Sequence, residues 1–301
     1  MRVLLEVMLP VFLVGGAGAA LGRLTSLDAT LLTRVAIYLF GPALIFRSFY
    51  TSGVAGSDAL RIIAFVVSLQ IILLTVSRLL GRVLGWDDDT KAAGSLMMTF
   101  ANCGNYGLPV LLFAYGENGF ALGVVYMLTG TFLHATLGVG IASWHRGMDP
   151  RTWLGRAIRV PWLYAFLLAI VFRLLGWELP VGIYRGVDLL ASAAIPVQLV
   201  ILGIQLSRVG LKRIGGEAIW LTGLKLALPP LIGWGLAAVL GAHGVLRAVL
   251  IVQASMPSAV NALILSMHFR RRADLSATVI LLTTLFSLGT VALVLWLLGP
   301  A

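Results

Sequence analysis

The chain has 301 residues, of which 59% are hydrophobic and 11% are charged, and its mean hydropathy is +0.99. Soluble domains do not have this composition, so the sequence predicts an all-α membrane protein with several spans and no separate soluble domain. The net charge is +10, but the basic residues lie mainly in alternate loops, which is the pattern of membrane topology. We therefore expect a lipid bilayer around the chain and no nucleic acid partner.

Ten apolar segments of about 20 residues, the length that crosses a bilayer, follow one another along the chain. They are residues 3–21, 31–51, 59–80, 92–115, 119–144, 161–177, 187–206, 218–240, 245–269 and 276–298. Basic residues are concentrated after spans one, three, five, seven and nine. The positive-inside rule therefore predicts that both termini lie outside the cell.

The longest connection, residues 145–160, is a predicted cytoplasmic linker between two halves of five spans, residues 1–144 and 161–301. Because five is an odd number, the second half enters the membrane from the opposite side, which predicts an inverted repeat. Pro109 in span four and Pro257 in span nine occupy corresponding places in the two halves.

Span four is interrupted by the run 100–113, FANCGNYGLPVLLF. Pro109 has no amide hydrogen and its ring clashes with the carbonyl one turn earlier, so we expect the helix to break or kink there. A break inside lipid is tolerated mainly where it lines a polar cavity, as in secondary transporters. Asn102, Asn105 and Tyr106 are the candidate polar side chains of this site. An ordinary proline kink sealed by neighbouring helices is the alternative.

Two polar residues in other spans are further candidates. His134 in span five is a candidate proton relay, although a histidine in such a place more often bonds a neighbouring carbonyl. Gln198 in span seven is a candidate substrate contact, or an amide that joins two helices. The glycines of span one indicate close helix packing: Gly15, Gly16, Gly18 and Gly22.

Lys225 lies about nine residues into span eight, hence roughly 14 Å deep, near the middle of an apolar layer about 30 Å thick. A lysine at that depth costs at least a few kcal/mol unless it is solvated or paired. By our span assignment no Asp or Glu lies equally deep. We therefore predict that Lys225 is either a fixed internal cation or a titrating proton carrier. Snorkelling to the membrane surface is the alternative.

Span nine carries a second interruption, QASMPSAVN at residues 253–261. Its polar residues around Pro257 repeat the chemistry of the first break: Gln253, Ser255, Ser258 and Asn261. Two interrupted spans in corresponding positions indicate a transporter site at the interface of two repeats. The half-helices at such breaks present free amide groups and partial positive charge at their N-termini, which favours an anionic ligand.

The sequence contains no recognisable metal site, cofactor site or catalytic constellation. Its single cysteine, Cys103, excludes a disulfide within the chain and a cluster of thiolate ligands. There is no HExxH motif, no nearby pair of cysteine and histidine, and no pair of intramembrane aspartates. We expect no enzyme activity, no cofactor and no bound metal.

The run 102–109, together with Ala114, Tyr115 and Gly116, resembles the first crossover of the auxin efflux carrier family, and residues 253–261 are similar to the second. This family includes the plant PIN-formed carriers and bacterial carriers assigned to malonate and malate. The resemblance extends over all ten spans. It implies ten transmembrane helices as two inverted five-helix repeats with crossed broken helices four and nine, a fold shared with bile-acid symporter-like and sodium/proton antiporter-like proteins.

The resemblance also implies a scaffold domain of spans one, two, six and seven, and a transport domain of spans three to five and eight to ten. It implies elevator-type alternating access and a homodimer in the inner (plasma) membrane of a bacterium. The chain departs from the plant members in lacking a long loop between spans five and six, and in carrying Gly104 and Tyr106 where the plant pattern has proline and threonine.

We therefore expect a secondary transporter for a small organic anion, such as malonate, malate or an auxin-like acid. Coupling to protons, drive by the membrane potential and uniport all stay open. The predicted substrate contacts are Asn102, Asn105, Tyr106, Pro109, Gln198, Ser255, Pro257, Ser258 and Asn261, with Lys225 and His134 as internal cation or proton carriers. The alternative is a membrane-embedded receptor or scaffold that binds the ligand without moving it.

Overall fold

The computed structural model describes residues 3–25, 27, 29–51, 53–143, 161–208 and 214–299, and the regular elements in these ranges are helices. They are α1 (Leu5–Leu24), α2 (Ala29–Thr51), α3 (Gly56–Val83), α4 (Asp88–Thr99), α5 (Cys103–Ser143), α6 (Pro161–Leu174), α7 (Val181–Ser207), α8 (Gly216–Val239), α9 (Gly244–Ala254), α10 (Val260–His268) and α11 (Ala273–Leu298). The predicted linker, residues 145–160, lies outside the described residues.

Seven of the described helices are long and apolar enough to cross a membrane: α1, α2, α3, α5, α7, α8 and α11. Helices α6 and α9 are apolar but shorter. The prediction of an all-helical membrane protein is thus confirmed. The count of ten spans and the inverted repeat stay predictions, because they include helices that are too short to be identified as membrane spans by length and composition.

Helix α5 is two helices joined at a sharp turn. Gly116 has φ 62° and ψ −161°, which no helical residue adopts, and this positive φ is one that glycine takes without the strain of a Cβ. The turn divides α5 between the predicted spans four and five. Predicted span four then corresponds to α4 followed by residues 103–115, and predicted span nine to α9 followed by α10.

The helices pack in two groups. In the first group α1 packs on α7, and α2 packs on α6 and α7. In the second group α3 packs on α4, α5 and α8, while α9 packs on α5, α8 and α11. The main contacts between the groups join α2 to α5, the start of α5 (Cys103–Gly107) to α7, and the opening turn of α1 (Leu4–Met8) to α5 and α11.

Glycines allow α1 and α7 to approach until their backbones touch. A Cβ added to Gly18 would overlap the backbone of Val200, and one added to Gly203 would overlap the carbonyl of Gly15. The predicted close packing is therefore confirmed at Gly18, which contacts α7 directly. At Gly16, in contrast, a Cβ would have no atom of the described residues within 4 Å.

Replacing Gly203 with alanine should destabilise the protein by about 1–3 kcal/mol, because the added methyl forces α1 and α7 apart. Thermal unfolding in detergent measures this effect. Gly186→Ala on the same helix is the matched control, since a Cβ there has open space; it should be neutral or slightly stabilising, as alanine favours helix by up to about 1 kcal/mol over glycine. Equal effects of the two substitutions would contradict the close contact.

A network of charged side chains joins the starts of α4, α8 and α11. Arg271 donates from Nε to the carbonyl of Ala142 at 2.8 Å and forms an ion pair with Asp89. Arg272 pairs with Glu217 at 3.2 Å. Asp87 caps α4 by accepting a hydrogen bond from the amide of Thr90, and this bond lowers the pKa of the Asp87 carboxyl. These contacts hold together the helices that carry the site.

Candidate functional site

The two predicted interruptions lie against each other. Helix α4 ends at Thr99 and α9 at Ala254, and the extended segments that follow pair in antiparallel fashion. The amide of Asn102 donates to the carbonyl of Pro257 at 2.8 Å, and the amide of Ala259 donates to the carbonyl of Phe100 at 3.0 Å. Each break thus supplies hydrogen-bond partners for the other, which is how broken backbone is tolerated at membrane depth.

The first break begins before Pro109, which corrects the expectation that this proline breaks the helix. The extended residues are 100–102, and Pro109 lies inside α5. It follows the wide turn Cys103–Gly107, a turn of π-helix in which each hydrogen bond joins residues five apart, compared with four in an α-helix. We attribute the tolerance of the proline ring to this wide turn. Pro257, in contrast, lies within the extended segment of the second break.

Two side chains cap the broken end of α4. The last carbonyls of a helix have no partner within it. Here the carbonyl of Met97 accepts from the hydroxyl of Ser258 at 2.9 Å, and the carbonyl of Met98 accepts from Nζ of Lys225 at 3.1 Å. Lys225 is only 1% exposed, so its side chain does not reach the membrane surface. A cation is favourable at the partially negative end of a helix.

A cavity of about 100 Å³ lies beside the paired breaks. Five of the predicted site residues line it: Asn102, Asn105, Asn261, Lys225 and His134. The remaining polar wall includes Gln70, Thr99 and Thr131, which the sequence analysis did not select. The sequence signal that was available for Gln70 is an amide in the middle of an apolar span.

Four buried polar atoms on the wall of the cavity have no hydrogen-bond partner among the described residues. They are Nδ2 of Asn102, Oγ1 of Thr99, Oε1 of Gln70 and Nε2 of His134. A buried polar atom left without a partner costs about 1–3 kcal/mol, so such atoms are rare unless a ligand or water completes them. Their concentration at one cavity indicates a polar ligand.

The electrostatics of the cavity favour an anion. The first residues of α5 and of α10 line it, and a helix N-terminus presents free amide hydrogens and partial positive charge. Lys225 also lines the cavity. Among the described residues that line the cavity there is no Asp or Glu. A carboxylate would therefore meet no acidic side chain on the described wall.

The other six predicted contacts lie outside this cavity: Tyr106, Pro109, Gln198, Ser255, Pro257 and Ser258. The hydroxyl of Tyr106 accepts a hydrogen bond from Oγ of Ser287 at 3.0 Å, and the hydroxyl of Ser255, just after α9, donates to the carbonyl of Ile251 in the last turn of that helix. Gln198 is buried on α7, and its Oε1 has no hydrogen-bond partner among the described residues. Contact of these six residues with a substrate stays a prediction.

Gln253, the first residue of the second interruption, links the two breaks. It is fully buried, and its Nε2 donates to the carbonyl of Cys103 at 3.4 Å. Its side chain fills the space left by Gly107 and Gly123 on α5. Gln253 therefore joins the end of α9 to the start of α5. Within the described residues no cluster of three or more potential metal ligands is present.

Comparison with known proteins gives matches over nearly the whole chain. Residues 3–296 match the family described as "Membrane transport protein". An uncharacterized transporter of Methanothermobacter thermautotrophicus is 32% identical over 96% of this chain and 95% of its own. An uncharacterized transporter of Methanocaldococcus jannaschii is 31% identical over 97% of both chains. A Rhizobium meliloti protein named "Putative malonate transporter" is 28% identical over 66% of this chain and 64% of its own.

Proposed function

Because the chain belongs to the membrane transport protein family, the auxin efflux carrier family that its crossover motifs resemble, we propose that it is a secondary transporter of a small organic anion. The observation that carries this proposal is the cavity at the paired breaks. Two helix N-termini, Lys225 and the side chain of Asn102 meet there. Nδ2 of Asn102 has no partner among the described residues, and no described acidic residue lines the wall. Such a wall suits a carboxylate.

The size of the cavity supports a small substrate. Its volume of about 100 Å³ is well below the roughly 300–1,000 Å³ of pockets that hold drug-sized ligands. The name of the Rhizobium meliloti relative adds malonate as a candidate. We therefore place small carboxylic acids such as malonate and malate ahead of an auxin-like acid, whose indole ring needs more room.

Elevator-type movement is the second part of the proposal. The first helix group (α1, α2, α6, α7) serves as the scaffold, and the second (α3, α4, α5, α8, α9, α10, α11) serves as the transport domain. In support, the helices of each group pack mainly on one another, and both breaks belong to the second group. Trp162 of α6 lines the cavity from the scaffold side, so the cavity adjoins the surface along which the groups would slide.

We extend the proposal, from the family resemblance, to ten spans as two inverted repeats and to a homodimer in the inner membrane. The positive-inside rule adds that both termini lie outside. Coupling is open between protons, membrane potential and uniport. The absence of acidic residues from the described cavity wall disfavours a bound sodium ion there, since hard cations prefer oxygen ligands such as carboxylates.

Uptake by liposomes tests the proposal directly. The purified chain should accumulate labelled malonate or malate above empty liposomes, and an imposed pH gradient should show whether protons are coupled. Asn102→Asp should reduce uptake by about tenfold or more, because a carboxylate replaces an amide donor in the cavity. Asn118→Asp, the same change at an exposed residue outside the cavity, is the control and should leave uptake unchanged.

The alternatives give different results. A receptor without transport would bind the labelled acid, with loss of binding in Asn102→Asp, yet would show no accumulation. Equal uptake by Asn102→Asp and Asn118→Asp would place the substrate elsewhere and contradict the crossover site.

A further inference from the structure

A second cavity, of about 320 Å³, lies between the two helix groups. Its walls are α1 and α7 on one side, and Tyr106 and α11 on the other. The volume falls in the range of ligand pockets, roughly 300–1,000 Å³. We call this cavity the crevice. Apart from Tyr106, none of the predicted substrate contacts lines it.

The crevice has the depth of one lipid leaflet. On α1 it is lined from Val11 to Arg23, a distance of about 18 Å at 1.5 Å per residue. Half of a hydrocarbon layer is about 15 Å thick. The deep end is closed by the edge-to-face contact of Phe12 with Tyr106, at 6.1 Å between ring centroids, and by the contact of α11 with the opening turn Leu4–Met8.

The crevice is apolar and opens sideways. Leu285 on its rim is 55% exposed, and Gly16 has open space where a side chain would stand. Exposed apolar side chains of a membrane span face lipid chains. A cavity with so few polar groups holds water poorly, because each water needs two to four polar partners. Hydrocarbon is therefore the better occupant.

A positive charge stands at the open end. Arg23 belongs to the last turn of α1, is exposed and lines the crevice. No ion pair or hydrogen bond of Arg23 with another described residue is found. A guanidinium group binds phosphate through two parallel hydrogen bonds. The crevice thus presents an apolar channel of leaflet depth with a phosphate-binding group at its mouth.

We propose that the crevice binds one acyl chain of an anionic phospholipid, with the phosphate at Arg23 and the chain between α1, α7 and α11. This site is separate from the carboxylate cavity and does not depend on transport. The positive-inside prediction places Arg23 on the cytoplasmic side, where anionic lipids concentrate in many membranes.

Photolabelling tests the proposal with the full chain in liposomes of phosphatidylcholine. The probe is phosphatidylglycerol that carries a photoreactive group at the end of one acyl chain, and the labelled peptides are identified by mass spectrometry. Labelling should map to α1 and α11. Arg23→Gln, which removes the charge, and Gly16→Leu, which fills the open space, should each reduce this labelling about tenfold or more.

Each variant has a matched control. Arg34→Gln changes another exposed arginine of the first helix group, and Gly289→Leu changes an exposed glycine of α11 with open space around it; neither residue lines the crevice. Both controls should label like the wild type. Equal labelling of all four variants, labelling confined to other helices, or equal labelling by a phosphatidylcholine probe would overturn the proposal. Arg23 is exposed, so its replacement keeps the test valid if Gly16→Leu fails to fold.

Discussion

Replacing Lys225 with methionine should reduce anion uptake by about a hundredfold, while thermal stability falls by no more than about 1 kcal/mol. Lys225 is buried and is the one lysine or arginine among the described residues that line the cavity. Its loss removes a charge-assisted contact worth about 1.5–3 kcal/mol to a bound carboxylate. Stability changes little because methionine has similar length, and the cost of burying a charge disappears together with the hydrogen bond to Met98.

A second substitution separates the charge of Lys225 from its hydrogen bond. Lys225→Gln keeps a donor for the carbonyl of Met98 but removes the charge. If the charge acts on the substrate, Lys225→Gln should transport as poorly as Lys225→Met. Full uptake by Lys225→Gln would show that this residue only caps α4, which would contradict the role of internal cation. Lys91→Gln, a change at a partly exposed lysine paired with Asp88, is the control and should transport normally.

The dependence of Lys225 on its surroundings illustrates what the sequence can predict. Burial of this residue follows from its depth in an apolar segment, which is a local property. Its partner is the end of α4, and that contact depends on how α8 packs against α4. No local pattern in the sequence identifies the end of α4 as this partner.

The two breaks likewise combine features that the local sequence predicts with contacts that it does not. Asparagine, glycine and proline inside apolar segments are local signals, and they located both breaks. The sequence did not predict which residues leave the helix. The extended residues are 100–102, whereas Pro109 lies inside α5 after the wide turn Cys103–Gly107. The pairing of Asn102 with Pro257 is a contact between distant parts of the chain, which hydrophobic periodicity does not reveal.

Some residues of the cavity wall can be predicted from the sequence, and others cannot. Asn102, Asn105 and Asn261 lie in the motifs and line the cavity. Thr99 gives little signal, because a threonine in a span usually bonds its own helix. Its role on the wall arises only because α4 ends there and its hydroxyl is left unpartnered.

Replacing Gly107 with alanine should lower uptake about tenfold or more and destabilise the protein by about 1–3 kcal/mol. The added methyl would overlap the side-chain amide of Gln253, which is fully buried and bonded to the carbonyl of Cys103. Gln253 has no solvent to move into, so the start of α5 must shift away from α9. That start forms one wall of the carboxylate cavity, and its displacement changes the positions of the free amide hydrogens.

A double substitution tests whether the effect passes through Gln253. Gln253→Ala vacates the space that the methyl of Gly107→Ala would occupy, so the double variant should be more stable than the sum of the single effects predicts, by about 1–3 kcal/mol, as expected for residues in contact. Thermal unfolding and liposome uptake measure the coupling. Gly140→Ala is the control on α5, because its Cβ would meet no described atom within 4 Å and the residue does not line the cavity. Strictly additive effects of Gly107→Ala and Gln253→Ala would mean that Gln253 does not set the position of α5.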